Sequence, residues 1–166
     1  MKLPFRIDFR GSYGSFEYKT LLSCAADISL QPGGVGDVWW DEETKVWTIP
    51  NGTSVALPTG LFIVDVDRQG ISEWTHLGFD VVPRFRILPR SSFSKARIGC
   101  EIGTIEADYE GFQMFVILDN KSGKEFSLSP GDRIGQLEMG LAFRIPGVPV
   151  RNEMRTGGFG STGLKG

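Results

Sequence analysis

The chain has 166 residues, 40% of them hydrophobic and 23% charged, which suits one domain with its own core and argues against disorder of the whole. Eighteen basic and 20 acidic residues leave a net charge of -2; this argues against wholesale binding of nucleic acid or an anionic membrane but leaves room for a local arginine cluster. One histidine, His76, and two cysteines, Cys24 and Cys100, argue against a Ser-His-Asp triad, a multi-histidine metal site and a four-cysteine zinc site.

Glycine makes up 22 of the 166 residues, about 13% against roughly 7% in average usage, with no collagen period. Many tight turns between short strands are the expected result. "PFRIDF" alternates apolar and charged residues and stops at "RGSYGS". "AADISL" follows, with Asp27 in an otherwise apolar stretch. "GGVGDVWWDEETKVW", residues 33–47, reads as an inserted hairpin, and "KVWTIP" alternates up to "PNG". "SVALP" stops at Pro58, and "TGLFIVDV" continues around Gly60. "DRQGISEWTHLGFD", residues 67–80, reads as a second insertion and holds His76. The tryptophans of both insertions look exposed, and core or interface placement is open for them.

"DVVPRFRILP" carries two prolines and reads as an edge strand or two short strands. "SSFSKARIG" is the best helix, at most two turns. "FQMFVILDN" is an apolar run of strand length, "KSGKEFSLSPGD" a turn, short strand and turn, and "RIGQLEMGLAFRI" a last strand. No repeat of 20 to 50 residues is present. Such spacing predicts an all-β sandwich or barrel. The pattern ends at Ile145, and "PGVPVRNEM" and "RTGGFGSTG" form a glycine-rich tail that alone would be disordered. Cys24 and Cys100 are expected as reduced, buried thiols. With no apolar run of 18 residues and no signal-peptide core, the protein is expected to be soluble and cytoplasmic.

Several short motifs carry groups that bind phosphate. "PRSS", Pro89 to Ser92, offers an arginine fork, two hydroxyls and main-chain N–H groups at a helix start. "GDRIGQL" turns into a strand with Gln136 placed to hydrogen-bond, and "GTIEADYEG" reads as a strand, an acidic hairpin and a return strand. Each alone is an ordinary cap, turn or solvated hairpin.

Together and in this order, "AADISL", "PRSS", "GTIEADYEG", "GDRIGQL" and "RTGGFGSTG" resemble the five motifs of the trimeric dUTP pyrophosphatase (dUTPase) family, over roughly residues 20–163. "ALPTGLFI" is similar to the family segment between the first two motifs. The resemblance implies an all-β jelly roll over residues 1–145, assembled as a homotrimer. Residues 146–166 would form a mobile C-terminal arm that closes over a neighbouring subunit's site. Glycines let main-chain N–H groups approach phosphate closely, and such an arm orders on the nucleotide like a lid.

The implied reaction is attack of water on the α-phosphorus of dUTP, giving dUMP and pyrophosphate. Mg²⁺ would be held by the triphosphate and its waters rather than directly by protein. By resemblance Asp27 either touches that hydration shell or buttresses the fold. Arg90 and Ser91 match the phosphate contacts of the family, Ser92 stands where glycine is usual, and Gln136 matches the glutamine that contacts phosphate and aligns the water. Tyr109 matches the tyrosine under the deoxyribose, where an aromatic wall excludes a 2′-hydroxyl. The strand near Gly103 would read uracil with main-chain groups. In the arm, Phe159 would stack on the base, while Arg155, Gly160, Ser161 and Thr162 would hold the terminal phosphates.

One departure matters. The family's catalytic aspartate is Glu106 here, one methylene longer, with Asp108 two residues on, and the spacing from Arg90 to Glu106 is compressed. Three outcomes are open: Glu106 is the base, Asp108 substitutes, or the protein is a catalytically weak dUTP-binding or regulatory protein on this scaffold. A dCTP deaminase shares the fold, but its glutamate is missing from "FQMFVILDN".

Overall fold

A computed structural model describes residues 4–67, 69–70 and 81–148. Along the chain run β1 (Arg6–Phe9), β2 (Ala25–Ser29), β3 (Trp40–Asp41), β4 (Val46–Ile49), β5 (Ser54–Val64) and β6 (Val81–Leu88). Helix α1 (Ser91–Lys95) and β7 (Ile98–Cys100), β8 (Thr104–Glu106), β9 (Gln113–Asn120), β10 (Phe126–Leu128) and β11 (Arg133–Phe143) complete the described elements. The strand orders are β1-β5-β9-β7, β10-β4-β3 and β2-β11-β6-β8, with antiparallel ladders throughout. The fold is all-β, as the alternating patterns predict.

Period-two alternation sorts each strand into an inner and an outer face. Met114, Val116 and Leu118 turn inward from β9, and Val81, Pro83, Phe85 and Ile87 from β6. They join Leu57, Ile63, Ile28 and Ile134 in one core cluster, apart from Val81 and Pro83. Each such side chain contributes about 1.5–3 kcal/mol when fully buried.

Three expectations need correction, and one open alternative is resolved. Pro58 and Gly60 do not end a strand: β5 runs through both, and its pairing with β9 shifts between Pro58 and Phe62. Thr59 supports this bulge from inside, donating from Oγ1 to the Met114 carbonyl at 2.7 Å and accepting the Leu61 N–H at 3.0 Å. The two-proline segment is one inner strand, β6, paired along its whole length with β11. Pro83 stands in register with Leu141 of β11 and just outside the β8 ladder, which reaches only Arg84 to Arg86.

The tryptophans of the first insertion belong to the core. The expected hairpin is β3–β4, but Trp47 is buried with its indole N–H donating to the Gln31 carbonyl at 3.1 Å, and Trp39 and Trp40 pack against the cluster. Neither cysteine matches the buried thiol expected: Cys24 is exposed and Cys100 half-buried. Most of the second insertion, with His76, lies outside the described residues, as does the arm from residue 149 onward. Among the described residues no helix is long and apolar enough to cross a membrane.

Candidate active site

Asp27, Gln136 and Leu88 lie side by side across β2, β11 and β6. Gln136 Nε2 donates to Asp27 Oδ1 at 3.0 Å, and Arg133 Nη1 donates to Asp27 Oδ2 at 2.9 Å. Residues three apart on a regular strand face opposite sides. Here the β2–β11 register shifts between Arg133 and Gly135, so that Arg133 pairs with Ser29 and Gln136 with Asp27. That irregularity brings both side chains to the face of one carboxylate. Gly135 lies at the shift, closely packed: a Cβ there would sit 3.3 Å from the Ile87 side chain and 3.4 Å from the Leu88 carbonyl.

Asp27 is only 3% exposed. Burial pushes its carboxyl up, but the hydrogen bonds from Arg133 and Gln136 and the charges of Arg133 and Arg90 outweigh burial and hold it below the usual carboxylate range. It is therefore ionised at neutral pH.

Arg90 joins the group from the end of β6. Its main chain is extended, its carbonyl accepts the Phe93 N–H at 3.0 Å to start α1, and its Nη1 donates to the Arg133 carbonyl at 3.0 Å. Ser91 and Ser92 are exposed on the first turn of α1, while Phe93 anchors the helix edge-on against Phe126, 5.6 Å away. Asp27, Arg90 and Gln136, expected from three separate motifs, thus share one site. Arg133 was not singled out by sequence reasoning. Its motif was visible, but the register shift that turns it toward Asp27 was not.

The remaining carboxylates stand elsewhere. Glu106 ends β8 opposite Arg84, and the Tyr109 N–H donates to the Glu106 carbonyl at 3.1 Å to close a turn. Glu106, Asp108 and Gly103 are exposed. Tyr109 is 7% exposed, packed on Phe112, with its hydroxyl donating to the Gln113 carbonyl at 3.1 Å. The expected hairpin is not one: β8 pairs with β6, and the chain then crosses to another sheet to form β9.

Glu106 and Gln136 are far apart in one chain. On β6, Gln136 is level with Leu88 and Glu106 with Arg84. Four residues of strand and two strand spacings separate them by roughly 16 Å. Arg155, Phe159, Gly160, Ser161 and Thr162 lie outside the described residues. Among the described residues no group of three or more His, Cys, Asp or Glu could hold a metal ion.

Comparison with known proteins adds three findings. The family model described as dUTPase matches residues 81–163. A deoxyuridine 5'-triphosphate nucleotidohydrolase of Treponema pallidum subsp. pallidum is 31% identical over 153 residues, covering 89% of this chain and 89% of the relative. One from Bordetella pertussis is 34% identical over 124 residues, covering 69% and 72%. Among solved structures, a dUTPase from Streptococcus mutans superposes with a TM-score of 0.59 at 16% identity, over 85% of this chain and 98% of its own. A dUTPase of phage phi11 of S. aureus, described with a structural Mg(II) ion, gives 0.60 at 12% identity over 90% and 97%. A Staphylococcus bacteriophage 80alpha dUTPase with dUPNHPP gives 0.60 at 13% over 96% and 98%. At these identities the superpositions speak for the fold alone.

Proposed function

This chain belongs to the dUTPase family, and on that premise we propose that it hydrolyses dUTP to dUMP and pyrophosphate by water attack on the α-phosphorus. The observation that carries the site assignment is the convergence of Arg90, Arg133 and Gln136 around the buried Asp27 carboxylate. Two guanidinium groups suit a polyanionic chain of phosphates, and the exposed Ser91 and Ser92 follow Arg90 directly in the chain. Alignment and neutralisation of charge are what this chemistry needs from a protein.

Glu106 is the base in this reading, with Asp108 supporting its turn. Its main chain is roughly 16 Å from that of Gln136, and the Gln136 amide turns toward Asp27 on β2, on the side of β11 away from β8, so in this reading the site takes Glu106, Gly103 and Tyr109 from one subunit and Arg90 and Gln136 from another. A homotrimer meets that need. Its formation would cover the apolar side of β11, where Met139, Leu141 and Phe143 are 41%, 50% and 71% exposed. Residues 146–166 form the closing arm, with Arg155, Phe159, Gly160, Ser161 and Thr162 meeting the nucleotide.

Mg²⁺ supplies charge neutralisation when it arrives on the triphosphate. Asp27 does not fit its hydration shell: it is buried, and both oxygens already accept side-chain hydrogen bonds. The fit favours the buttressing role for it.

A second reading rests on Glu106 itself. A carboxylate displaced by one methylene, on the order of 1 Å, can cost about 100-fold in rate, which would leave a dUTP-binding protein with weak turnover. Pyrophosphate release from dUTP, dCTP, dTTP and UTP by the purified protein with Mg²⁺ separates the two. Rapid release from dUTP alone supports the hydrolase; binding of dUTP without release supports the second reading.

A further inference from the structure

The two ends of the Gln136 amide are not equivalent. Nε2 donates to Asp27 Oδ1 at 3.0 Å, while Arg133 Nη1 occupies Oδ2 at 2.9 Å. An ionised carboxylate only accepts hydrogen bonds. Turning the amide over would set Gln136 Oε1 against Asp27 Oδ1, two acceptors with no proton between them, in a place from which Asp27 is shielded from water. The orientation therefore follows from the chemistry of the pair rather than from atom assignment. Among the described residues none donates to Gln136 Oε1.

We propose that Asp27, held by Arg133, is a positioning residue that ties up one proton of the Gln136 NH₂ and so fixes the amide with its carbonyl oxygen presented to the reacting nucleotide. The inference rests on the dUTP reading for its consequence. An oxygen acceptor cannot bond an unprotonated phosphate oxygen, but it can bond a water. The Gln136 carbonyl oxygen then accepts from the attacking water and aligns it, while Arg90 and the second Nε2 proton of Gln136 remain as donors to phosphate. Arg133 serves twice, clamping Asp27 with its side chain and Arg90 with its carbonyl.

The first test is amide NMR on the full-length, nucleotide-free protein, independent of turnover. The Gln136 Nε2 proton donated to Asp27 should exchange with solvent at least about tenfold more slowly than those of a peptide glutamine. In Asp27→Asn, whose amide can no longer accept from both donors, that protection should be lost. Exchange at the peptide rate in the wild type overturns the proposal and needs no variant. The second test is kinetic. Asp27→Asn should lower kcat about tenfold or more, the scale of a misplaced reacting group, with KM for dUTP little changed. In a Gln136→Ala background the same substitution should cost nothing further. An equal loss of kcat in that background shows that Asp27 acts otherwise than through Gln136 and overturns the proposal. If the amide is protected as expected but the wild type does not turn over dUTP, the dUTP reading fails while the assigned orientation stands.

Discussion

Arg90 Nη1 donates to the main-chain carbonyl of Arg133 at 3.0 Å, tying the start of α1 to the start of β11. A guanidinium presents a planar fork of donors, so while one edge holds the carbonyl the other is left to meet a phosphate oxygen in the proposed site. A lysine ammonium is a point charge and cannot keep both in that geometry. Arg90→Lys should raise KM for dUTP about tenfold, equivalent to about 1.4 kcal/mol. Steady-state kinetics and a thermal melt check it: an unchanged KM removes Arg90 from the substrate site, and a large fall in Tm makes its role structural.

Gly60 sits at φ +68°, and a Cβ there would lie 2.9 Å from the main-chain nitrogen of Gly11. Both the left-handed conformation and the contact with main chain oppose a side chain. Gly60→Ala should destabilise the protein by about 1–3 kcal/mol, read from urea unfolding. A loss of only a few tenths of a kcal/mol would mean that the β5 bulge relaxes easily.

The two thiols should react at different rates. Burial, with Glu101 nearby, pushes the Cys100 thiol up to about 11, while Cys24 is exposed. The thiolate is the reactive form, and a raised pKa leaves little of it at pH 8. A disulfide reagent should therefore modify Cys24 quickly and Cys100 slowly, with the Cys100 rate climbing as pH rises toward 11. Two equal fast phases at pH 8 would contradict this placement.

Much of the fold was legible because burial follows period two on strands such as β6 and β9. The misreadings share one cause, which is that non-local contacts decided them. Pro58 and Gly60 look like strand breakers, yet Thr59 bonds to Met114 and carries the strand through. Glu106 to Tyr109 looks like a hairpin tip because local sequence cannot show that β8 pairs with β6. In the site, Asp27, Arg90 and Gln136 were recognisable by motif. Arg133 was not, because only the register shift in β11 turns it to the same face as Gln136.

Subunit sharing of the site has its own test. Glu106→Gln and Arg90→Ala should each be nearly inactive alone. Co-expressed in equal amounts and assembled at random into trimers, they should recover about one quarter of wild-type sites, because a site then draws an intact Glu106 and an intact Arg90 from different chains. A mixture no more active than its parents would place both residues in one chain's site, against the roughly 16 Å that separates Glu106 from Gln136.

Pyrophosphate release by the wild type, Glu106→Gln and Glu106→Asp decides whether this chain hydrolyses dUTP with Glu106 as base. The wild type should release pyrophosphate from dUTP, and Glu106→Gln should do so at least about 100-fold more slowly with dUTP still bound, the scale of lost general-base catalysis. Glu106→Asp should retain activity. A wild type that binds dUTP but scarcely turns it over, with catalysis switched on by Glu106→Asp, would contradict this reading and identify a nucleotide-binding protein on an enzyme scaffold.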